Sequence, residues 1–385
     1  MELAWWQIGL GVIVGLIILT ILVVLHELGH AIMARRNGVE VEEFGIGFPP
    51  RAIKLGTVKG TVVSLNWLAI GGFCKMKGES DSDTGKGTYG AASLLAKTKI
   101  LLAGVGANFL VAVIIFTILA WCGLPKFIPD QFTTSFDKHG QSGVVKVESV
   151  KADSPAQKAG LKKGDQIVSL AGQTVDMPAG LSALTIQHAG KNVAVQLIRD
   201  QKPLSVEVSL LGKDQASPKL GVETSQQSPS TIRSTWSAPI IGLGTALQFF
   251  WLTVVGIVGL LANLVVGIVS VVVGTPAGVQ GLAQLGDSVA GPVGILGQIF
   301  PTAMSEGIVM LMAITAIISV SLAVMNLLPI PGLDGGRWYL TLWYHCRHKK
   351  LTREREEQIV GRGMVFLFGL IIVITIFDII RQFHL

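Results

Sequence analysis

The chain has 385 residues, of which 50% are hydrophobic and 15% are charged, and its formal net charge is +6 at pH 7. A soluble globular protein carries more charge, so this composition excludes an ordinary soluble enzyme and indicates a polytopic membrane protein. The excess positive charge falls in loops, where it informs topology, and we expect lipid but no nucleic acid as a partner.

The first apolar segment, residues 1–36, contains the most informative pattern in the chain. No charge occurs from Ile8 to Leu25, and His26-Glu27-Leu28-Gly29-His30 then follows. H-E-x-x-H on a helix places two imidazoles one turn apart, where they can bind zinc, and the glutamate can act as general base on a metal-bound water. A solvated helix face is the alternative interpretation, but ionisable groups at membrane depth are costly and favour a functional site.

Three elements follow in chain order. Residues 37–92 are rich in lysine and arginine, so the positive-inside rule predicts that they are cytoplasmic and that the N-terminus is extracytoplasmic. Residues 93–122 form a second apolar segment, which then runs outward. Residues 127–212 have the composition of a soluble domain and are therefore expected outside the cytoplasm.

The late apolar segments are constrained by the basic run within residues 335–362, which should be cytoplasmic. The segment 306–334 then runs inward and 363–385 runs outward. A single crossing by 237–273 would invert this order, and two crossings need about 40 residues. We therefore expect residues 213–305 to form a linker, which ends at residue 235, followed by a helical segment. This segment is expected to associate with the membrane without crossing it in a single pass.

A third zinc ligand is needed, because catalytic zinc sites usually have three protein ligands and one open position. The candidate is Asp334, which follows an apolar helix within a run of prolines and glycines. In the expected topology Asp334, His26 and His30 all lie near the cytoplasmic ends of inward-running helices, where they can meet. An ordinary Asp-Gly turn is the alternative interpretation of this aspartate.

These motifs resemble those of the site-2 protease family of intramembrane zinc metalloproteases, and their order is similar to that of its RseP-like bacterial members. The matching elements are His26–His30, Phe44–Phe48, Gly71–Met76 and Asn326–Gly335, whereas Gly104–Asn108 departs from the Gly-Pro common in relatives. The resemblance implies that His26, His30 and Asp334 bind Zn²⁺ and that Glu27 is the catalytic base. It also implies a β-structured loop that enters the membrane from the cytoplasm, and substrate contacts from Asn326, Gly71, Gly72, Pro329 and Pro331.

Residues 127–212 look like a PDZ domain, and the chain has room for one. Ser154–Gly160 predicts a short helix with an N-cap, and residues 179–189 predict a second helix. Alternating apolar and polar residues at 193–199 and 204–210 predict half-buried strands. A PDZ domain would bind extended peptide by strand addition, whereas a passive spacer is the alternative.

The expected fold is thus a polytopic α-helical membrane protein with four transmembrane helices, one membrane-associated helical segment, a membrane-entering β-loop and an inserted extracytoplasmic α+β PDZ domain. The expected function is zinc-dependent hydrolysis within the transmembrane segment of single-span proteins of the bacterial cytoplasmic membrane. By resemblance the substrates are anti-sigma factors, with a role in sigma-factor regulation, or remnant signal peptides. A transporter and a catalytically dead scaffold are the alternatives; the absence of an inverted repeat and the presence of Glu27 argue against them.

Overall fold

A computed structural model of the protein describes residues 4–134, 138–139, 144–212, 220–228, 230–272, 291–349 and 351–383. These residues form ten α-helices, which are α1 (Trp5–Arg36), α2 (Leu94–Cys122), α3 (Pro155–Lys158), α4 (Pro178–Gln187), α5 (Ala238–Val272), α6 (Pro292–Gly294), α7 (Phe300–Ser305), α8 (Ile308–Leu327), α9 (Asp334–Cys346) and α10 (Arg353–Phe383). A π-helical turn, Ile295–Ile299, joins α6 to α7.

The same residues form eleven strands, which are β1 (Val41–Val58), β2 (Thr61–Met76), β3 (Leu124–Pro125), β4 (Lys138–His139), β5 (Val144–Val150), β6 (Gln166–Leu170), β7 (Gln173–Thr174), β8 (Asn192–Arg199), β9 (Lys202–Ser209), β10 (Val222–Ser228) and β11 (Thr231–Arg233). The chain divides into two compact units. One combines Met1–Ile115 with Ala246–Leu385, and the other, here called the inserted unit, is Phe116–Thr245.

Five of the described helices are long and apolar enough to cross a bilayer, which indicates a membrane protein. Their apolar stretches are Trp5–Arg36, Leu94–Cys122, Ala238–Gly267, Ile308–Leu327 and Arg353–Ile376. The segment predicted at 237–273 is indeed helical, as the 35-residue helix α5. Its length would also suffice for a span, since about 20 residues cross the hydrocarbon core.

Helices α1 and α8 run in the same direction. Near the start of α1, a Cβ built on Gly11 would lie 2.5 Å from Pro301 Cα, just before α8 begins. Near its end, His26 contacts Asp334, just after α8 ends. The two helices therefore bring their C-terminal ends to one level.

Helix α2 runs antiparallel to α1 and packs closely against it. A Cβ on Gly29 would lie 2.5 Å from the carbonyl oxygen of Ala103, so the absence of a side chain at Gly29 permits the contact. Further along, Asn108 reaches His26. The Ser319 hydroxyl of α8 donates to the backbone carbonyl of Asn108 at 2.8 Å, which ties the third helix to this pair.

Strands β1 and β2 form a long antiparallel hairpin beside α1, in agreement with the β-structured loop predicted within 37–92. Arg35, at the end of α1, donates to the carbonyl of Val58 at 2.6 Å and to the hydroxyl of Thr61 at 2.5 Å. The hairpin exposes large apolar side chains, among them Phe48, Ile53, Leu55, Trp67, Leu68 and Ile70.

The range 335–362, predicted as a cytoplasmic basic loop, is helical for most of its length. Residues up to Cys346 form α9, and α10 begins at Arg353 instead of 363. The basic run suggested a loop, but it mainly marks the connection between two helices. Gly335 and Gly336 let α9 start against the end of α8, because a Cβ on either would clash with the carbonyl oxygens of Leu327 and Ile330 respectively.

The inserted unit contains a six-stranded sheet in the order β10-β5-β6-β8-β9, with β7 beside β6. The predicted helices and strands of this region are present as α3, α4, β8 and β9. The linker predicted at 213–235 is wrong where it covers β10 and β11, so the sheet extends beyond residue 212. Its Ser- and Gln-rich composition suits an edge strand. Among the described side chains, Val222 of β10 packs against the core of the inserted unit, which also contains Leu220 just before the strand.

Candidate metal centre

Three side chains converge at the C-terminal ends of α1 and α8. His26 Nε2 lies 2.9 Å and His30 Nε2 lies 3.1 Å from Asp334 Oδ2, and the two Nε2 atoms are 3.1 Å apart. The four-residue spacing on α1 places both imidazoles on one face, and Asp334 is the first residue of α9. Sequence reasoning therefore predicted the three groups that the fold brings together.

The arrangement fits a zinc ion. Two imidazole nitrogens and one carboxylate oxygen are a common catalytic donor set, with bond lengths of about 2.0–2.1 Å. A tetrahedron with such bonds has edges of about 3.4 Å, close to the three separations of 2.9–3.1 Å. A slight expansion of the triangle would complete the geometry and leave the fourth position open.

The face of α2 that borders the three ligand atoms leaves room for an ion, because it presents a glycine there. A Cβ on Gly104 would lie 2.5 Å from His30 Nε2 and 2.6 Å from His26 Nε2. Asn108 lies one turn further along, and its Nδ2 is 3.4 Å from His26 Nδ1. Sequence reasoning missed both residues as parts of the site. The available signal was a lone carboxamide within an apolar segment, the same signal that identified the histidines.

Glu27 lies next to the ligands and against β2. It makes a hydrogen bond with the backbone of Cys74, and a Cβ on Gly72 would lie 3.7 Å from Glu27 Cγ. Among the residues that the structure describes, the side chains whose ligand atoms converge are His26, His30 and Asp334, and the nearby Cys74 is not one of them.

A polar cavity of about 570 Å³ connects Asp334 with the charged ends of α9 and α10. Its lining includes Glu79, Asp83, Arg337, Arg353, Glu356 and Glu357. Arg337 of α9 donates a hydrogen bond to the backbone carbonyl of Glu79, in the segment after β2, and forms an ion pair of 3.4 Å with Glu356 of α10. Arg337 therefore links α9 to both of these segments. Such a lining can hold ordered water beside Asp334.

The predicted substrate residues lie around the metal centre rather than within it. Gly71 and Gly72 are on β2, and Gly71 has a positive φ of 80° and is covered by the Phe48 ring. Asn326 is partly exposed in the last turn of α8, and Pro329 and Pro331 lie in the connection to α9. Their placement leaves a role in substrate binding as a prediction.

Comparison with known proteins identifies the family. The family model described as "Peptidase family M50" matches residues 14–370. Three bacterial proteins provisionally named zinc metalloproteases are each 29% identical to this chain. The one from Clostridium perfringens aligns over 96% of this chain and 98% of its own length, the one from Clostridium acetobutylicum over 96% and 97%, and the one from Campylobacter jejuni over 95% and 92%.

One solved structure resembles part of the chain. The PDZ domain of an SdrC-like protein from Listeria monocytogenes is 23% identical and covers 23% of this chain and 92% of that domain, with a TM-score of 0.20. This score is too low to assign a fold, so the PDZ identity of the inserted unit stays a prediction. The match over residues 14–370 confirms the resemblance to the site-2 proteases, and the chain belongs to peptidase family M50, as a zinc metalloprotease of the membrane.

Proposed function

We propose that the protein cleaves peptide bonds within the transmembrane segments of single-span membrane proteins, with His26, His30 and Asp334 as zinc ligands and Glu27 as general base. The observation that carries the proposal is the cluster of three ligand atoms about 3 Å apart at the ends of apolar helices. Ionisable groups are retained at such positions when they serve chemistry.

The depth of the site supports cleavage near the cytoplasmic face. His26 follows Trp5 by 21 residues, which is about 32 Å of helix at 1.5 Å per residue, and the hydrocarbon core is about 30 Å thick. With the N-terminus outside, the ligands lie at the inner boundary of the membrane. The polar cavity at Asp334 would supply the water that hydrolysis consumes.

The chemistry divides between the metal and the chain. When bound, zinc supplies Lewis acidity that activates water as a nucleophile at neutral pH. Glu27 would accept a proton from the attacking water and pass it to the leaving amine. Its hydrogen bond with the Cys74 backbone holds the carboxylate beside the ligands during both steps.

The hairpin is suited to hold an unwound substrate. Its exposed apolar side chains favour insertion into the membrane from the cytoplasmic side. A substrate helix must lose its internal hydrogen bonds before cleavage, and an extended segment beside β2 would regain them by strand addition. Gly71 and Gly72 would admit its backbone, and Asn326, Pro329 and Pro331 would contact it from the opposite side.

We keep four spans and treat α5 as membrane-associated. The chain leaves α2 at its outer end, and β11 pairs with β3 just before α5 begins. The backbone N–H of Gly291 donates a hydrogen bond to the carboxylate of Asp378, near the C-terminal end of α10. Asp378 lies about 22 Å along this helix from Gly363, which packs against Pro331. In the proposed topology α5 would begin on the outer side and Gly291 would lie on that side as well, and this supports an α5 that does not cross the membrane in a single pass.

The inserted unit would act outside the cytoplasm as a PDZ-type filter, which admits only substrates already trimmed by another protease. Because β3 and β11 pair, a short Gly/Ser linker can replace residues 126–230 without separating α2 from α5. We expect the shortened protein to cleave an intact, bulky single-span substrate that the full chain rejects. Unchanged selectivity would contradict the filter but not the protease.

The proposed setting is the bacterial cytoplasmic membrane, with anti-sigma factors or remnant signal peptides as substrates and a role in sigma-factor regulation. The three relatives reported above are bacterial, which supports this setting. A single-span substrate suits the proposal, because one transmembrane helix must enter the site from the side, within the membrane, and unwind before cleavage.

The test uses purified full-length protein and a single-span model substrate, with and without a zinc chelator. Glu27→Gln should lower the cleavage rate about 100- to 10,000-fold, since it removes the general base but no ligand. Bound zinc should stay near the wild-type amount. Wild-type cleavage that survives removal of zinc, or full activity of Glu27→Gln, would contradict the proposal and favour the transporter or scaffold alternative.

A further inference from the structure

One face of α2 contacts both histidines of the metal centre, at positions 100, 104 and 108. The Ile100 carbonyl oxygen lies 2.7 Å from His30 Nδ1, which therefore donates a hydrogen bond to it. Gly104 borders both Nε2 atoms, and Asn108 faces His26 Nδ1 at 3.4 Å. The spacing of four residues places these three groups in a row along the helix.

Asn108 has an acceptor without a partner. Its side chain is buried, with 1% exposed, and its Oδ1 has no hydrogen-bond partner within the part of the chain that the structure describes. Ser319 fixes the backbone carbonyl of Asn108, while the carboxamide can turn about its last torsion. A half-turn exchanges Nδ2 and Oδ1 and sets Oδ1 opposite His26 Nδ1.

A histidine that binds a metal through Nε2 carries its proton on Nδ1 and needs an acceptor there. The Ile100 carbonyl meets this need for His30. For His26, the buried carboxamide of Asn108 lies 3.4 Å from Nδ1, and its Oδ1 can serve as that acceptor once the carboxamide is turned. Such partners fix the tautomer and the ring orientation of a ligand, and their loss typically costs about 10- to 100-fold in metal affinity.

We propose that Asn108 is a positioning residue that holds the Nδ1–H tautomer of His26, and that Gly104 keeps the ligand space open. The proposal rests on the zinc site assigned above, and it extends that site to α2. Any side chain at position 104 would meet both Nε2 atoms at less than contact distance.

The experiment measures zinc affinity of purified full-length variants by competition with a chromogenic chelator, independently of cleavage. We expect Asn108→Leu to weaken zinc binding about 10- to 100-fold, and Asn108→Asp to restore it because a carboxylate also accepts from Nδ1–H. Gly104→Ala should lose zinc. Gly106→Ala is the matched control, since a Cβ there has no atom within 4 Å, and it should bind zinc like the wild type.

Wild-type zinc affinity in Asn108→Leu would overturn the role of Asn108, and failure of Asn108→Asp to recover affinity would do the same. Equal affinities in Gly104→Ala and Gly106→Ala would overturn the role of Gly104, even if Asn108→Leu does not fold. A wild-type protein that takes up no zinc, or a His26→Ala variant that retains it, would instead contradict the metal site on which the proposal rests.

Discussion

Two aspartates, one in each unit of the molecule, hold a negative charge in different ways. Asp334 faces two imidazoles, at 2.9 Å and 3.1 Å. Asp165, in the inserted unit, accepts two hydrogen bonds of 2.7 Å from the guanidinium of Arg199 and one of 2.8 Å from the backbone N–H of Lys162. Both neighbour a glycine in the sequence, so composition alone predicts a turn for each.

The partners decide what each carboxylate can do. Arginine stays protonated and has no acceptor, so Asp165 and Arg199 form a permanent pair that joins β6 to β8. Burial alone would raise the pKa of Asp165, but the Arg199 and Lys162 donors lower it below its ordinary value. Neutral imidazoles can instead offer a lone pair to a metal. One aspartate is therefore a structural anchor, and the other is available for chemistry.

The largest expected difference follows from replacing each aspartate in turn. Asp334→Ala removes a ligand, so we expect it to reduce bound zinc to a small fraction and cleavage at least about 100-fold, because the metal supplies several kcal/mol of transition-state stabilisation. Metal analysis of the purified protein and a cleavage assay measure both effects. Normal zinc content in this variant would remove Asp334 from the site.

A smaller effect, of a different kind, is expected for Asp165→Ala. The variant should keep zinc and destabilise the inserted unit by about 3 kcal/mol, at the low end for broken buried ion pairs because Arg199 can still reach solvent. Denaturant-dependent hydrogen exchange in β6 and β8 of the full chain measures the change. Loss of zinc with intact exchange protection would reverse the distinction between the two aspartates.

The smallest effect is expected for an ion pair on the surface. Lys77 and Glu40 are 2.8 Å apart, but 39% and 61% of their side chains are exposed. Lys77→Gln should change stability by no more than about 0.5 kcal/mol and leave zinc binding unchanged. A change as large as that of Asp165→Ala would mean that burial is not what separates structural from incidental pairs here.

The sequence allowed the chemistry of the site to be predicted better than its surroundings. His26, His30 and Asp334 were identified because ionisable groups in apolar segments are costly, and a strict spacing limits their geometry. Helix α9 was missed because the basic run beyond Cys346 obscured its amphipathic pattern. Strand β10 was missed because an edge strand buries few side chains, so its composition resembles that of a linker.

The lone carboxamide of Asn108 in an apolar segment was a signal in the sequence, but the contact of α2 with the ligands could not be derived from it. Gly104 and Asn108 matter through atoms on another helix, and one chain gives no direct information about which helix faces meet. Only the packed helices show that position 104 borders both ligand nitrogens and that Asn108 reaches His26. The depth of the ligands in the membrane, in contrast, is a prediction from helix length and from the charges at the helix ends.

X-ray absorption at the zinc edge tests the central claim most directly, because it identifies the ligand atoms in the purified full-length protein. We expect nitrogen and oxygen ligands at about 2.0–2.2 Å, two of them imidazoles, and no sulfur at about 2.3 Å. His26→Ala and Asp334→Ala should each lose this signal. A sulfur ligand, for which Cys74 would be the nearest source, or an unchanged spectrum in Asp334→Ala would contradict the proposed centre.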